Sequence, residues 1–370
     1  MKAVILVGGL GTRLRPLTVH TPKPLIPLVN QPFIERMIEN LRDQGIDEVI
    51  LAVQYLAERF RAVLGDGTRL GVRLHIIEEP EPRGTAGAVK HVAAMLDDTT
   101  FVFNGDVLTD LDLQAMLRAH RARRSQISIA LTPVDDPTAF GLVETDADQR
   151  IRRFVEKPRP EQVTTTMINA GTYIIEPAVL ALVPAGRHHM FERGLFPDAL
   201  AAGVPMYGYP SDAYWTDIGK PQTYLDVHRD ILLGRVRHGF RATRLRDDIW
   251  LEGAAAIDPT VQFDGPVVLG AGVTLEAGVR IIGPSVIGAA CHIGAGCTIE
   301  QSVLWARNTL GADSVVTASV IGAGNTIGAR VVIAAGALLG DGCTIGAGNH
   351  LAHGMRLWPG ACISDGAISF

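Results

Sequence analysis

Gly8, Gly9, Gly11, Arg13, Arg15 and Lys23 crowd into one stretch near the start of the chain. It reads Gly8-Gly9-Leu10-Gly11-Thr12-Arg13-Leu14-Arg15-Pro16-Leu17-Thr18 and continues to Pro22-Lys23-Pro24. The apolar run before it, Ala3-Val4-Ile5-Leu6-Val7, has the length of a buried strand. A strand that opens into glycines offers backbone that approaches a ligand closely, with N–H groups free to point at it. Arg13, Arg15 and Lys23 add positive charge to the same loop, and donors plus cations suit a polyphosphate. The dinucleotide pattern G-x-G-x-x-G fails, because Leu14 stands where its third glycine belongs and prolines follow instead of a helix. The P-loop fails as well, since no lysine follows Gly11.

Carboxylates recur at the ends of predicted elements further on. Asn104-Gly105-Asp106 closes a strand over Thr100–Phe103, and Asp217 lies in Tyr214-Trp215-Thr216-Asp217-Ile218-Gly219-Lys220-Pro221. Mg²⁺ beside a polyphosphate is held by one or two such carboxylates plus phosphate oxygens. Each aspartate also has a plainer reading, Asp106 as a turn residue and Asp217 as the cap of a helix from Gln222 to Leu233. Asp110 and Asp112 read as caps of a helix over Leu113–His120. Between Asp106 and Asp217 come Phe140-Gly141, Glu156-Lys157-Pro158 and Asn169-Ala170-Gly171, on alternating apolar stretches that predict strands around a second pocket. His188 and His189 read as exposed.

Taken in order, these segments resemble the sugar-1-phosphate nucleotidyltransferases, or nucleotide-sugar pyrophosphorylases. The family pattern G-G-x-G-T-R-L-x-P-L-T followed by P-K-P is matched throughout, and W-x-D-x-G-x-P is matched at Trp215–Pro221. The resemblance implies that Gly8, Gly9, Gly11 and Thr12 bind the nucleotide, with Arg13 and Lys23 as catalytic cations on its phosphates. It implies Mg²⁺ on Asp106 and Asp217. It further implies that Lys157 takes the phosphate of a sugar 1-phosphate as a point charge, while Glu156, Asn169, Gly141 and Gly171 hold the sugar. In the segment Glu78–Gly87, Glu79 and Gly84 fall where relatives contact the base. A carboxylate only accepts hydrogen bonds, so Glu79 suits the ring N–H and amine of guanine and opposes a carbonyl of thymine or uracil. A solvated acidic turn is the plainer reading of Glu79. Gly84-Thr85-Ala86-Gly87 also resembles the guanylyltransferase branch that acts on mannose 1-phosphate. Thymidylyl or uridylyl transfer to glucose 1-phosphate is the alternative within the family. Met190 departs from the Ser or Thr common there and weakens any helix cap.

The elements that position these residues follow from periodicity. Strands at Val49–Val53 and Val72–Ile77 alternate with helices at Ile34–Leu41 and Ala86–Leu96, a rhythm that predicts a Rossmann-like α/β domain. Its mixed, mostly parallel sheet binds ligands beyond the strands' carboxyl ends. This catalytic domain spans residues 1–233, an irregular connector 234–258, and a second domain 259–370. In the last, branched residues recur every six positions: Leu269, Leu275, Ile281, Ile287, Ile293 and Ile299, then after five-residue steps Leu304, Leu310 and Val316, and Ile321 to Ile363. A period of six predicts a parallel β-helix, resembling the left-handed hexapeptide-repeat helix. Such helices also carry acetyltransferases, for which His350 and His353 are the candidate bases here. The alternative is a structural face for homo-oligomerisation. A non-catalytic sugar-nucleotide-binding subunit is opposed by the presence of Asp106 and Asp217 together with Arg13, Lys23 and Lys157.

Bulk properties bound the rest. The 370 residues carry a net charge of −5 with 47% hydrophobic and 20% charged residues, without the basic stripe a nucleic-acid binder needs. No run approaches the roughly 18 apolar residues of a membrane span. The N-terminal residues lack a signal-peptide cleavage site. Cys291, Cys297, Cys343 and Cys362 have no zinc spacing and read as small buried side chains of a cytoplasmic protein.

Overall fold

The computed structural model describes residues 1–237 and 239–369. By the density of their contacts they form two compact units, Met1–Gly9 with Ile34–Asp217, and Leu10–Phe33 with Ile218–Phe370. The division therefore does not follow chain order, because the segment carrying Gly11, Arg13 and Lys23 groups with C-terminal residues.

In the first unit the strands are β1 (Lys2–Val7), β2 (Glu48–Val53), β3 (Arg73–Glu78), β4 (Thr100–Asn104), β5 (Val107–Thr109), β6 (Ile127–Pro133), β7 (Gly141–Thr145), β8 (Ile151–Glu156), β9 (Met167–Ile175), β10 (Met206–Pro210) and β11 (Trp215–Asp217). Nine of them make one sheet along β8-β7-β9-β4-β1-β2-β3, with β6 pairing both β9 and β10. β1, β2, β3 and β4 run parallel; the Val- and Ile-rich runs of β1 and β2 are buried as two-sided strands require, while β3 is a partly exposed edge. β9 enters antiparallel to β4, and β7 and β8 continue as an antiparallel pair. The helices are α1 (Phe33–Asp43), α2 (Ala57–Leu64), α3 (Gly84–His91), α4 (Leu113–Ala122) and α5 (Phe196–Ala201). The helix expected over Ala86–Leu96 stops at His91, because Val92 turns its N–H to carbonyls two and three residues back and a separate single turn follows at Ala93–Met95. Asp112 caps α4 by accepting from the Ala115 N–H at 2.8 Å.

In the second unit, short strands stack into three sheets of eight, seven and six strands, all parallel except the antiparallel edge strand Thr243–Arg246. Each parallel strand pairs with the third one along the chain, as in a three-sided coil. Leu269, Ile287, Leu304, Ile321 and Leu339 stack in register, and the whole six-residue series is fully buried as far as Leu351. The stretch expected to be an irregular connector holds strands at Thr243–Arg246, Ile249–Leu251 and Ala256–Ile257, and the last two pair in parallel with the next coil. The register in fact runs back through Phe263, Ile257 and Leu251; glycine is absent after these residues, which hid it. Buried polar ladders run along the coils, the serine ladder at the shortened steps. Ser302 Oγ donates to Glu300 O at 2.6 Å and accepts from Ser319 N at 3.1 Å. Asn308 Oδ1 accepts from Asn325 N, and Asn325 Oδ1 from Cys343 N. Cys291, Cys297 and Cys343 are buried, but Cys362 is exposed. The first three stand two positions before an inward residue; Cys362 stands one before Ile363, and alternation turns it outward. The helix α6 (Pro221–Leu232) belongs to this unit.

Candidate active site

At the carboxyl end of β4 the chain turns through Gly105, whose N–H donates to Leu6 O at 3.0 Å, and Asp106 leads directly into β5. β5 pairs antiparallel with β11, and Asp217 sits opposite Val107. Two aspartates more than a hundred residues apart are thus neighbours across a short ladder. Asp217 ends β11, and the position before α6 is held by Lys220, so Asp217 does not cap that helix.

Both aspartates line a cleft of about 170 Å³ together with Asn104, Gly141, Glu156, Asn169, Gly171, Glu192 and Trp215. The opposite wall is built by β7, β8 and β9. Glu156 pairs with Gly141, where a Cβ would meet the Phe154 ring at 2.6 Å and Glu156 Oε2 at 3.0 Å. β9 is irregular between Asn169 and Tyr173, and Gly171 takes φ +71° there. That kink brings the Gly171 N–H onto Asn169 Oδ1 at 2.9 Å and directs Asn169 Nδ2 to the Tyr173 hydroxyl at 2.9 Å. Tyr173 is buried against Phe191 and Phe196, with ring centroids 5.0 and 5.3 Å away, so Asn169 is held on a rigid aromatic floor. Trp215 donates its indole N–H to Ala170 O at 2.8 Å and meets Phe140 edge-on.

Burial pushes the Glu156 carboxyl above its ordinary range, while the charges of Lys157 and Arg193 pull it back. Burial also raises Glu192, and the neighbouring Glu156 adds to the rise. Lys157 itself follows β8 at φ +51°, exposed, with its N–H bonded to Phe140 O at 2.9 Å; it is not among the residues lining the cleft.

Glu192, Asn104 and Trp215 were not assigned roles on sequence grounds. Glu192 could have been found only through Thr85, which donates to Glu192 Oε2 at 3.2 Å and accepts from the Phe191 N–H at 2.8 Å. Thr85 thereby supplies the cap that Met190 cannot. The surrounding segments explain two further differences. A Cβ on Gly84 would meet His189 O at 2.8 Å, and the Gly87 N–H donates to that oxygen at 2.9 Å, so these residues clamp 187–191 against α3. His189, expected to be exposed, is half-buried with Nε2 3.3 Å from Asp198. Glu79, read as facing a base or solvent, is 5% exposed and accepts from the Arg83 N–H at 3.1 Å. Burial raises its carboxyl, with His91 and Arg83 opposing the rise less strongly than the backbone bond does.

Of the glycine stretch, Gly8 lies under Gln54, while Gly9 has open space around its Cα. Gly11 takes φ +59° before a single turn over Thr12–Leu14, and Thr18 Oγ1 donates to Gly11 O at 2.8 Å. Arg13 is exposed, whereas Lys23 is buried at 5% exposure.

Among the described residues no three His, Cys, Asp or Glu side chains gather as a metal cluster. The Asp106–Asp217 pair is an all-oxygen set of two, and that fits Mg²⁺, which takes its remaining ligands from water and phosphate. No helix among the described residues is long and apolar enough to cross a membrane.

An α/β sheet with two aspartates in a polar cleft at its strand ends narrows the class, and the sequence places the chain in it: it belongs to the nucleotidyl transferase family, matched over residues 2–233. Residues 246–351 match the LbH domain of EIF2B subunit epsilon, as the stacked coils require. The chain is 39% identical to a mannose-1-phosphate guanylyltransferase of Mycobacterium tuberculosis, over 81% of this chain and 83% of that one. It is 34% identical to a UTP–glucose-1-phosphate uridylyltransferase of Synechocystis, over 82% and 83%. Among solved structures it is similar to HddC from Yersinia pseudotuberculosis complexed with GMP-PN, with a TM-score of 0.54 and 31% identity, covering 61% of this chain and 97% of that one.

Proposed function

We propose that this protein transfers a guanylyl group from GTP to mannose 1-phosphate, releasing pyrophosphate and forming a sugar nucleotide. The observation that carries the reading is the cleft in which Asp106 and Asp217 share a wall with Glu156, Asn169, Gly141 and Gly171. An anionic oxygen of the sugar phosphate bonds to the α-phosphorus while the bond to pyrophosphate breaks in line, and pyrophosphate leaves with the electron pair. The attacking oxygen is already ionised, so no protein nucleophile is required. Asp106 and Asp217 would hold Mg²⁺, which supplies charge neutralisation at the reacting phosphates. Glu156 and Asn169 orient sugar hydroxyls by directional hydrogen bonds, and Lys157 meets the sugar's phosphate. Arg13, Lys23 and the amides of Gly8, Gly9 and Gly11 are assigned to the triphosphate by their pattern in the sequence.

Guanine and mannose are favoured by the guanylyltransferase relative, and guanine also by the solved relative complexed with GMP-PN. Uridylyl transfer to glucose 1-phosphate is the second reading, because the uridylyltransferase matches over an equal share of the chain. The protein is read as a cytoplasmic homo-oligomer whose coils contribute the self-contact. Pyrophosphate release, measured with GTP, UTP, dTTP and ATP crossed with mannose and glucose 1-phosphates, decides between the readings. GTP with mannose 1-phosphate gives the highest kcat/KM, and a preference for UTP with glucose 1-phosphate overturns the assignment in favour of the second.

A further inference from the structure

A second, larger cavity of about 640 Å³ lies within the C-terminal unit, and none of its lining residues lines the aspartate cleft. Its volume is in the range of small-molecule sites. Three cationic side chains border it, Arg13, Lys220 and Arg356, together with the His353 imidazole, and none of the lining residues is acidic. These come from three separate places: the glycine-rich segment, the start of α6 and the late coils. The first turn of the twelve-residue α6 opens here, its leading N–H groups lacking intrahelical acceptors and its dipole favouring an anion. Leu225 and Leu338 add an apolar wall. Arg356 is already turned toward the glycine-rich segment, donating from Nη1 to Arg15 O at 3.0 Å.

We propose that this cavity is a binding site for a small phosphate-bearing molecule with an apolar or carbon-rich body. The cations and the helix terminus take the phosphate, and the Leu225–Leu338 wall takes the body. Three cationic side chains from separate parts of the chain thus converge on one space whose lining holds no acidic side chain. Since Arg13 lines the cavity and Arg356 bonds its neighbour's carbonyl, occupancy bears directly on the segment that carries Arg13.

The test is calorimetric titration of the full-length protein with phenyl phosphate, without turnover. All titrations use a Lys157→Gln background, which removes the cation beside the aspartate cleft whether or not the proposed reaction is right. Phenyl phosphate binds this protein, and adding Lys220→Gln and Arg356→Gln weakens binding by about tenfold or more, the loss expected for charge-assisted contacts. All three substituted or probed positions, Lys220, Arg356 and His353, are exposed; His353→Asn gives an independent variant, and melting curves verify folding. No binding to the background protein, or binding that the Lys220 and Arg356 substitutions leave unchanged, overturns the site. A final arm adds saturating GTP. Displacement of phenyl phosphate identifies the phosphate taken here as the nucleotide's own, and simultaneous binding identifies a separate phosphorylated molecule.

Discussion

Asp217 and Glu192 face one cleft. On the proposed reaction Asp217 helps to hold a cation, and several kcal/mol of transition-state stabilisation rest on such an ion. Asp217→Asn keeps the shape and the pairing with Val107, so it lowers kcat by on the order of a hundredfold while leaving the melting temperature near wild type. An active Asn variant removes Asp217 from the metal site. Glu192 is instead held above the ordinary carboxyl value of 4.5 by burial and by Glu156. A carboxyl that binds its proton more tightly in the folded state contributes stability that is full below the unfolded value and is lost as pH rises through the folded one. Glu192→Gln keeps an acceptor for Thr85 but discards the charge. Melting curves of the two proteins therefore run close together near about pH 4 and separate toward about pH 7, where the variant is the more stable. Parallel profiles across that range would show that Glu192 takes up no proton on folding.

At the scale of elements, the cleft is made by where strands end and where one of them breaks. The glycine stretch, Asp106 and the six-residue repeat were legible in the sequence because strand ends, turn glycines and a fixed period are local signals. The pairing that makes Asp106 and Asp217 neighbours joins residues with no local relation, and the kink of β9 at Gly171 leaves no mark beyond a glycine. Glu79, placed by resemblance at the base, accepts from the Arg83 N–H within its own turn. Thr85 belongs to this scale as well. Its hydroxyl ties the first turn of α3 to the turn over Phe191–Leu195, which presents Glu192. Thr85→Val removes an acceptor from the Phe191 N–H and costs about 1–3 kcal/mol of stability. On the proposed reaction it raises KM for the sugar phosphate more than for the nucleotide, and Thr85→Ser restores both. Equal effects on the two substrates would mean that the turn supports the fold without shaping the sugar wall.

Across the whole C-terminal unit, the coils do more than stack. Their contacts with Leu10–Phe33 and α6 leave no mark in the sequence, because they rest on single polar atoms far apart along the chain. The Tyr224 hydroxyl donates to Pro27 O and accepts from the buried Trp305 indole N–H at 3.1 Å. Asn30 Nδ2 adds bonds to Ile287 O at 3.2 Å and Glu252 Oε2 at 3.0 Å. Tyr224 is fully buried, and burial drives its phenol far above the ordinary range, so the hydroxyl keeps its proton and its role as donor. Tyr224→Phe leaves a buried carbonyl and a buried indole N–H without this partner, at a combined cost of about 2–4 kcal/mol. Trp305→Phe removes the same donor from the other side. If the hydroxyl is the shared link, the double variant loses less than the sum of the singles, because each substitution deletes the partner the other would strand. Chemical denaturation of the four proteins measures the coupling. Strictly additive losses would place the two aromatic residues in independent packing roles and leave the coils joined to α6 by apolar contact alone.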